Sequence, residues 1–346
     1  MRIFHLFYLY ANNKMLPRTL VFAGGGTRCL IYLPALASLQ SAGRLSAVKT
    51  VWGTSAGALI ASLFALSHDA QSIQKTLYST DFSHTRDIDI NNILNINSSW
   101  GVDDGTKLRA LISKLCDTMK PGASLYKLSD ISGVNIVVTD LSVRQTIILN
   151  SVSYPNVLLV DAIRASMSLP FFLRPFITSE GHIWIDGGLR ENFPWKLLAS
   201  DEERRNALGF IMNGRSSMSP TSLLEYVFSM VHFDEPRNRE AFRKWPNIIW
   251  FESPPYPTWF TRLQKEDYEM LTSRSLEALA HFSLAPPPET AENLLPSADH
   301  CTPSQDYLAG RTVESSDIPV PYHVPVQGSS PPQSPCTRLS YRRWSV

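Results

Sequence analysis

Short apolar runs alternate with longer stretches of helical period from Thr19 to about Phe282. Thr19 to Ala23 is an apolar run of strand length that ends in three glycines. Leu30 to Ser41 carries helical spacing and closes at Gly43, where a left-handed C-cap is wanted. Val48 to Trp52 reads as a second strand. Gly57 to Leu66 is apolar on nearly all faces, which predicts a buried helix. Residues 68–102 lack a clear period and read as loops or a cover. Beyond them Leu108, Leu111, Ile112, Leu115, Cys116 and Met119 trace one face of an amphipathic helix, so Cys116 belongs to packing.

Val134 to Thr139 and Gln145 to Leu149 predict two strands joined by a turn through Asp140 to Val143. A helix over Val160 to Met167 leads into Pro170, and Ile183 to Ile185 is the next strand. Leu208 to Met212 and Ile248 to Phe251 are later strands. Between them a helix opens at Ser219-Pro220 and ends near His232, and a last helix runs from Lys265 to Phe282. Such alternation predicts an α/β fold. From Pro286 onward Pro, Ser and Thr dominate without an apolar period, so the segment cannot offset the entropy of ordering. Its PVPYHVPV stretch suits a linker, a bare tail or a polyproline ligand for a protein partner. The organisation expected is a leader over 1–17, one domain over 18–283 and a tail over 284–346.

Composition adds exclusions. With 346 residues, 44% apolar and 18% charged, the chain can bury a large single core. A formal charge of +1 lacks the basic footprint of a nucleic-acid binder. Cys29, Cys116, Cys301 and Cys336 show neither disulfide nor zinc spacing, which favours a reducing, intracellular compartment. No run has the length of a transmembrane helix. The opening MRIFHLFYLYANNKMLP is interrupted by His5 and is followed by no small-x-small cleavage site.

Three glycine motifs carry the candidate chemistry. Gly53-Thr54-Ser55-Ala56-Gly57 is a Gly-x-Ser-x-Gly between strand and helix. Such a turn either presents a nucleophile at a helix N-terminus or caps the helix with small residues. Gly24-Gly25-Gly26 either aims backbone N–H groups at an anion or makes a tight turn that binds nothing. It lacks the third glycine of a dinucleotide fingerprint, and no acidic residue ends the second strand to hold a ribose. The Gly-Lys-Ser/Thr of a P-loop is absent. Asp186-Gly187-Gly188 ends a strand and offers a carboxylate base or a simple turn. Only two strands precede Ser55, too few for an α/β-hydrolase, and His182, His232 and His281 sit in no supporting motif.

Together these motifs resemble the patatin-like phospholipases over about residues 18 to 283. Supporting runs are VVTDL at Val137 to Leu141, RASMSLPFFLRPF at Arg164 to Phe176, and DGGLRENFPW at Asp186 to Trp195. The resemblance implies a three-layer α/β/α sandwich around a mainly parallel sheet, with no metal and no cofactor. It also implies a Ser55 nucleophile, an Asp186 base, oxyanion donors from Gly24, Gly25 and Gly26, and elbow glycines Gly53 and Gly57. Gly187 and Gly188 would shape the loop that carries the base.

One departure stands out, because Cys29 occupies a position where the family pattern usually has glycine. A thiol in the first helical turn costs little there, whereas a positive φ would strain it. Arg28 beside it is a candidate anion contact, since a cation at a helix N-terminus opposes the dipole. Pro170 to Leu173 and the segment with Tyr256, Trp259 and Phe260 suit either a lipid interface or the core. Phe171 and Phe172 are expected in the core. The resulting expectation is a lipid acyl hydrolase, soluble or peripheral at a membrane or micelle surface. The rival is a non-catalytic binding protein of the same fold.

Overall fold

A computed structural model describes residues 16–85, 87, 90–213, 240–254 and 263–284. The leader up to Met15, the tail from residue 285, the helix expected at Ser219 and the segment with Tyr256, Trp259 and Phe260 lie outside the described residues.

Strands β1 (Thr19–Phe22), β2 (Thr50–Thr54), β4 (Val134–Asp140), β5 (Gln145–Leu149), β7 (Phe176–Ile177), β8 (Ile183–Asp186), β9 (Ala207–Met212) and β10 (Ile248–Phe251) form one sheet, and β3 (Gly101–Asp103) pairs with β6 (Phe171–Leu173) in a second. The large sheet runs β10-β9-β1-β2-β4-β8-β7, with β5 also on β4. Its first five strands are mutually parallel, and β5, β8 and β7 join by antiparallel pairing. This is the mainly parallel sheet that the resemblance implies.

Period-two alternation divides the core between two faces. Leu20 and Phe22 of β1 face one cluster, while Val21 and Ala23 face another. The first cluster holds the long helices: α1 (Tyr32–Ser41), α2 (Ala56–Ser67), α3 (Ala70–Tyr78), α4 (Thr106–Met119), α5 (Leu159–Ser166) and α6 (Lys265–Leu284). Phe193, Trp195, Leu198 and Phe242 cover the second face, beside helical turns at Pro194–Leu197 and Asp201–Arg205. The sheet therefore lies between a thick helical layer and a thin one.

Helix α3 falls inside the stretch expected to be loop. Asp69 caps it by accepting from the Gln71 and Ser72 amides (3.1 and 3.0 Å), and it buries only Ala70, Ile73 and Leu77. Three apolar residues among six polar ones stabilise a helix only when packed, which explains the weak period. Gly43 has φ +71 and its amide returns to Gln40, as a left-handed C-terminal position requires. Phe171 departs from expectation in the other direction: it is 58% exposed at φ +70, whereas Phe172 packs against the core. Cys116 is buried, as its place on α4 predicts.

Candidate active site

Sheet register brings the serine and the carboxylate to one level. Thr54 pairs with Val137 across β2 and β4, and Val138 pairs with Asp186 across β4 and β8. Ser55, one residue past Thr54, thus stands level with Asp186 two strands away, a backbone separation of about 10 Å. The side chains reach across β4, and Ser55 Oγ donates to Asp186 Oδ2 at 2.7 Å. Ser55 and Asp186 are only 4% and 3% exposed.

The turn at Ser55 is sharp. Its φ of 54° and ψ of −127° lie outside the usual regions for an L residue. Such geometry costs on the order of 1–3 kcal/mol and persists only when its surroundings enforce it. They do so here by close packing. A Cβ on Gly53 would lie 2.4 Å from the Gly57 carbonyl oxygen, and one on Gly57 would lie 2.6 Å from the Phe22 and Ala23 oxygens. The two glycines let α2 press onto the ends of β1 and β2. The Ser55 amide donates to Ser166 Oγ (2.8 Å), whose own proton goes to the Val137 carbonyl (2.6 Å).

Asp186 is held from both sides. Its Oδ1 accepts from the Gly188 amide at 2.7 Å, and its own amide donates to the Ser168 carbonyl at 2.9 Å. Burial pushes its carboxyl up from 3.8 to about 7, while the Ser55 hydroxyl and Gly188 amide pull the other way. Gly187 passes so close to β4 that a Cβ there would lie 2.3 Å from the Val137 oxygen. Glu191, on the turn after these glycines, is also pushed up to about 7 by burial, against the opposing charge of Lys196.

The glycine loop follows β1 and leads into a 3₁₀ turn over Gly26–Ile31. The Gly24 amide is committed to the Asn192 carbonyl at 3.0 Å, which corrects the expectation that all three glycines offer free donors. The Gly25 and Gly26 amides donate to no carbonyl among the described residues. Arg28 stands third in the 3₁₀ turn, and its Nη1 donates to Ser253 Oγ at 3.1 Å, tying the loop to the end of β10. Cys29 has no positive φ, so its backbone does not call for glycine. Its thiol points to the Ala23 carbonyl at 3.5 Å and burial raises it to about 12, which keeps it neutral.

Several contributors carry no signal in spacing or composition. Ser166 holds the serine amide, and Asn192 holds the glycine loop through its carbonyl. Buried Arg164 buttresses the segment before Asp186 by donating to Ser168 Oγ (2.6 Å), the Arg174 carbonyl (2.7 Å) and the Asp104 carbonyl (2.8 Å). All three lie inside the motif runs, but their partners are distant in sequence. His182 reaches buried Asp140 (2.8 Å) rather than the serine, and His281 lies exposed beside Glu277. Among the described residues no helix is long and apolar enough to cross a membrane, and no three His, Cys, Asp or Glu side chains gather as metal ligands would.

An apolar cavity, partly open to solvent, is lined by Gly26 and Thr27 together with side chains of α2, α3 and α4. No charged residue lines it.

A family model described as patatin-like phospholipase matches residues 20–199. An uncharacterized protein of Acanthamoeba polyphaga mimivirus is 26% identical over 164 residues, 47% of this chain and 54% of its own length. The uncharacterized protein YqhO of Bacillus subtilis (strain 168) is 27% identical over 230 residues, 61% of this chain and 76% of its own length. The chain thus spans about half the length of the first relative and three quarters of the second. Among solved structures, VipD from Legionella pneumophila superposes with a TM-score of 0.51 at 15% identity, covering 77% of this chain and 67% of that one. That likeness concerns the fold.

Proposed function

We propose a Ser-Asp lipid acyl hydrolase, because the chain belongs to the patatin-like phospholipase family and its Ser55 hydroxyl donates to a buried Asp186 at 2.7 Å. That single hydrogen bond carries the reading. Ser55 Oγ attacks an ester carbonyl while its proton passes to the Asp186 carboxylate. The carbonyl oxygen becomes an oxyanion, met by the Gly25 and Gly26 amides. Collapse breaks the ester C–O bond, and the leaving alcohol takes the proton back from Asp186. Water then attacks the acyl-enzyme, gives its proton to Asp186 and releases the acid, returning the proton to Ser55. The raised carboxyl suits this exchange, since a base near neutral pH both accepts and returns a proton readily.

Substrate arrives from a lipid surface in this reading. Ile90, Leu94, Trp100 and Phe171 are exposed apolar side chains. The pairing of Gly101 with Phe171 sets Trp100 close to Phe171, and both aromatic residues are held at positive φ. Phe171 lies four residues from Met167, which lines the cavity. Aromatic side chains of this kind favour the membrane–water boundary. The non-catalytic rival leaned on Cys29, whose ordinary backbone geometry no longer supports it.

The test is hydrolysis of a short chromogenic ester by wild type, Ser55→Ala and Asp186→Asn, with folding checked by circular dichroism. Activity in wild type and loss in both folded variants is expected. Full activity in either variant would refute the dyad.

A further inference from the structure

One side of the large sheet ends in a bare strand. Strand β4 carries β2 and then β8 along one side and β5 along the other. The Leu141 amide donates to the Ile183 carbonyl, and the Val51 amide donates to the Gly133 carbonyl. Odd-numbered positions of β4 thus turn their backbone groups towards β8 and β2. Even-numbered positions turn towards β5, where Ile136, Val138 and Asp140 face Leu149, Ile147 and Gln145. Thr146 and Ile148 therefore point their N–H and C=O groups outward. Among the described residues β5 pairs with β4 alone, and nothing bonds those outward groups. Native sheets blunt such an edge with lysine, proline or a bulge. From Gln145 to Val152 the chain has no charged residue and no proline, and the register with β4 is unbroken. Exposed apolar side chains stand at both ends of the strand: Val143 (45%) on the turn before it and Val152 (86%) on the turn after it.

We propose that β5 is a dimerisation edge, paired antiparallel with β5 of a second copy of this chain about a twofold axis at Ile147. In that register Thr146 faces Ile148 of the second copy, and each such pair exchanges both backbone bonds. Ile147 faces its own counterpart across the axis. The contact is isologous, so its apolar ends match: the turn with Val143 lies beside the turn with Val152 of the second copy. Charge agrees with this pairing. Arg144, the charged residue next to the strand, falls opposite Asn150 of the second copy, and no like charges face each other along the paired strands. Half-buried Ile147 packs on the larger apolar cluster and half-buried Ile148 on the smaller one, so pairing continues both apolar faces across the axis. A second copy fits better than an unrelated peptide, because one strand with its two turns supplies both halves of the match. The proposal does not depend on the hydrolase reading.

The test is sedimentation velocity on the full-length chain, wild type beside Thr146→Pro. Wild type should pass from monomer to dimer as concentration rises. The Thr146 N–H bonds nothing within one chain, so proline there leaves the β4–β5 ladder intact. It should raise the dimer Kd about thirtyfold, through the symmetric bonds it deletes. Cysteine reads the register. With Cys301→Ser and Cys336→Ser in the background, Ile147→Cys should form an intermolecular disulfide on mild oxidation, because facing non-bonded positions lie about 4.5 Å apart at Cα. Thr146→Cys and Ile148→Cys do not face their own counterparts and should stay uncrosslinked as single variants. A wild type that is monomeric up to its solubility limit overturns the proposal. So does a dimer that Thr146→Pro leaves unchanged, or one in which Ile147→Cys fails to cross-link. If Thr146→Pro does not fold, the Ile147→Cys cross-link decides alone.

Discussion

Asp186→Asn should stabilise the protein at alkaline pH while abolishing its chemistry. The carboxyl is displaced from 3.8 to about 7 by burial, worth on the order of 4 kcal/mol at 1.36 kcal/mol per tenfold step. The sign follows from proton uptake. Between about pH 4 and 7 the folded state holds a proton that the unfolded chain has released. Asp186 therefore contributes its full stability below about pH 4 and loses it as pH rises through about 7. Asparagine keeps the shape but cannot ionise. Chemical unfolding of both proteins from pH 4 to 9 should show the stability difference shift towards the variant by up to about 4 kcal/mol. Glu191 titrates in the same window, but it is present in both proteins and cancels. The kcat/KM of wild type should rise with pH and level off above about 7, since the base must be deprotonated to act. A stability difference independent of pH, or a flat rate profile from pH 5 to 9, would refute the argument.

Other perturbations follow from the same geometry. Ser55→Gly should abolish hydrolysis and be more stable than Ser55→Ala by about 1 kcal/mol, because both lose the hydrogen bond to Asp186 and only glycine accepts the positive φ; a melting temperature at or below that of Ser55→Ala would contradict this. Ser166→Ala leaves the buried Ser55 amide without its acceptor, so stability should fall by about 1–3 kcal/mol in a urea titration and kcat should fall more than KM rises. Trp100→Ser with Phe171→Ser should reduce flotation on neutral vesicles and leave hydrolysis of a soluble short ester unchanged. Arg28→Ala, which frees the glycine loop from Ser253, should slow hydrolysis of phospholipids and neutral esters alike; a loss confined to phospholipids would give Arg28 a role in binding phosphate instead.

Much of the scaffold was legible because strands in a parallel sheet are continuous apolar runs bounded by glycine. Thr19 to Ala23, Val134 to Thr139 and Leu208 to Met212 are such runs, and each lies on a strand. Helix α4 was legible because its buried residues keep one face over two turns. Helix α3 was not, since its apolar face is three residues long, although Asp69 ahead of Ala70 was a usable cap signal. Phe171 was misplaced because an apolar run without period does not say which ring turns outward. The proximity of Ser55 and Asp186 came from motif order and family resemblance, and its geometric cause, the register across β4, is a long-range property that no local pattern encodes. The same holds for Gly24, whose amide is consumed by a residue 168 positions away.

Three loops meet at the candidate site, and each is tied to another rather than to solvent. The base loop holds the glycine loop through Asn192 and Gly24, and it holds the serine strand through the Glu191 carbonyl and Thr54 Oγ1 at 2.9 Å. Ser166 links the serine turn to β4. Donors fixed in this way need no reorganisation when charge develops on a substrate, which is where electrostatic catalysis gains most. The same ties explain how a strained Ser55 and a buried carboxylate coexist in one small volume. Neither is stable alone, and each loop that enforces one also enforces the other. The unfavourable terms are therefore carried by the large apolar cluster beneath the sheet, and the site inherits its rigidity from that core.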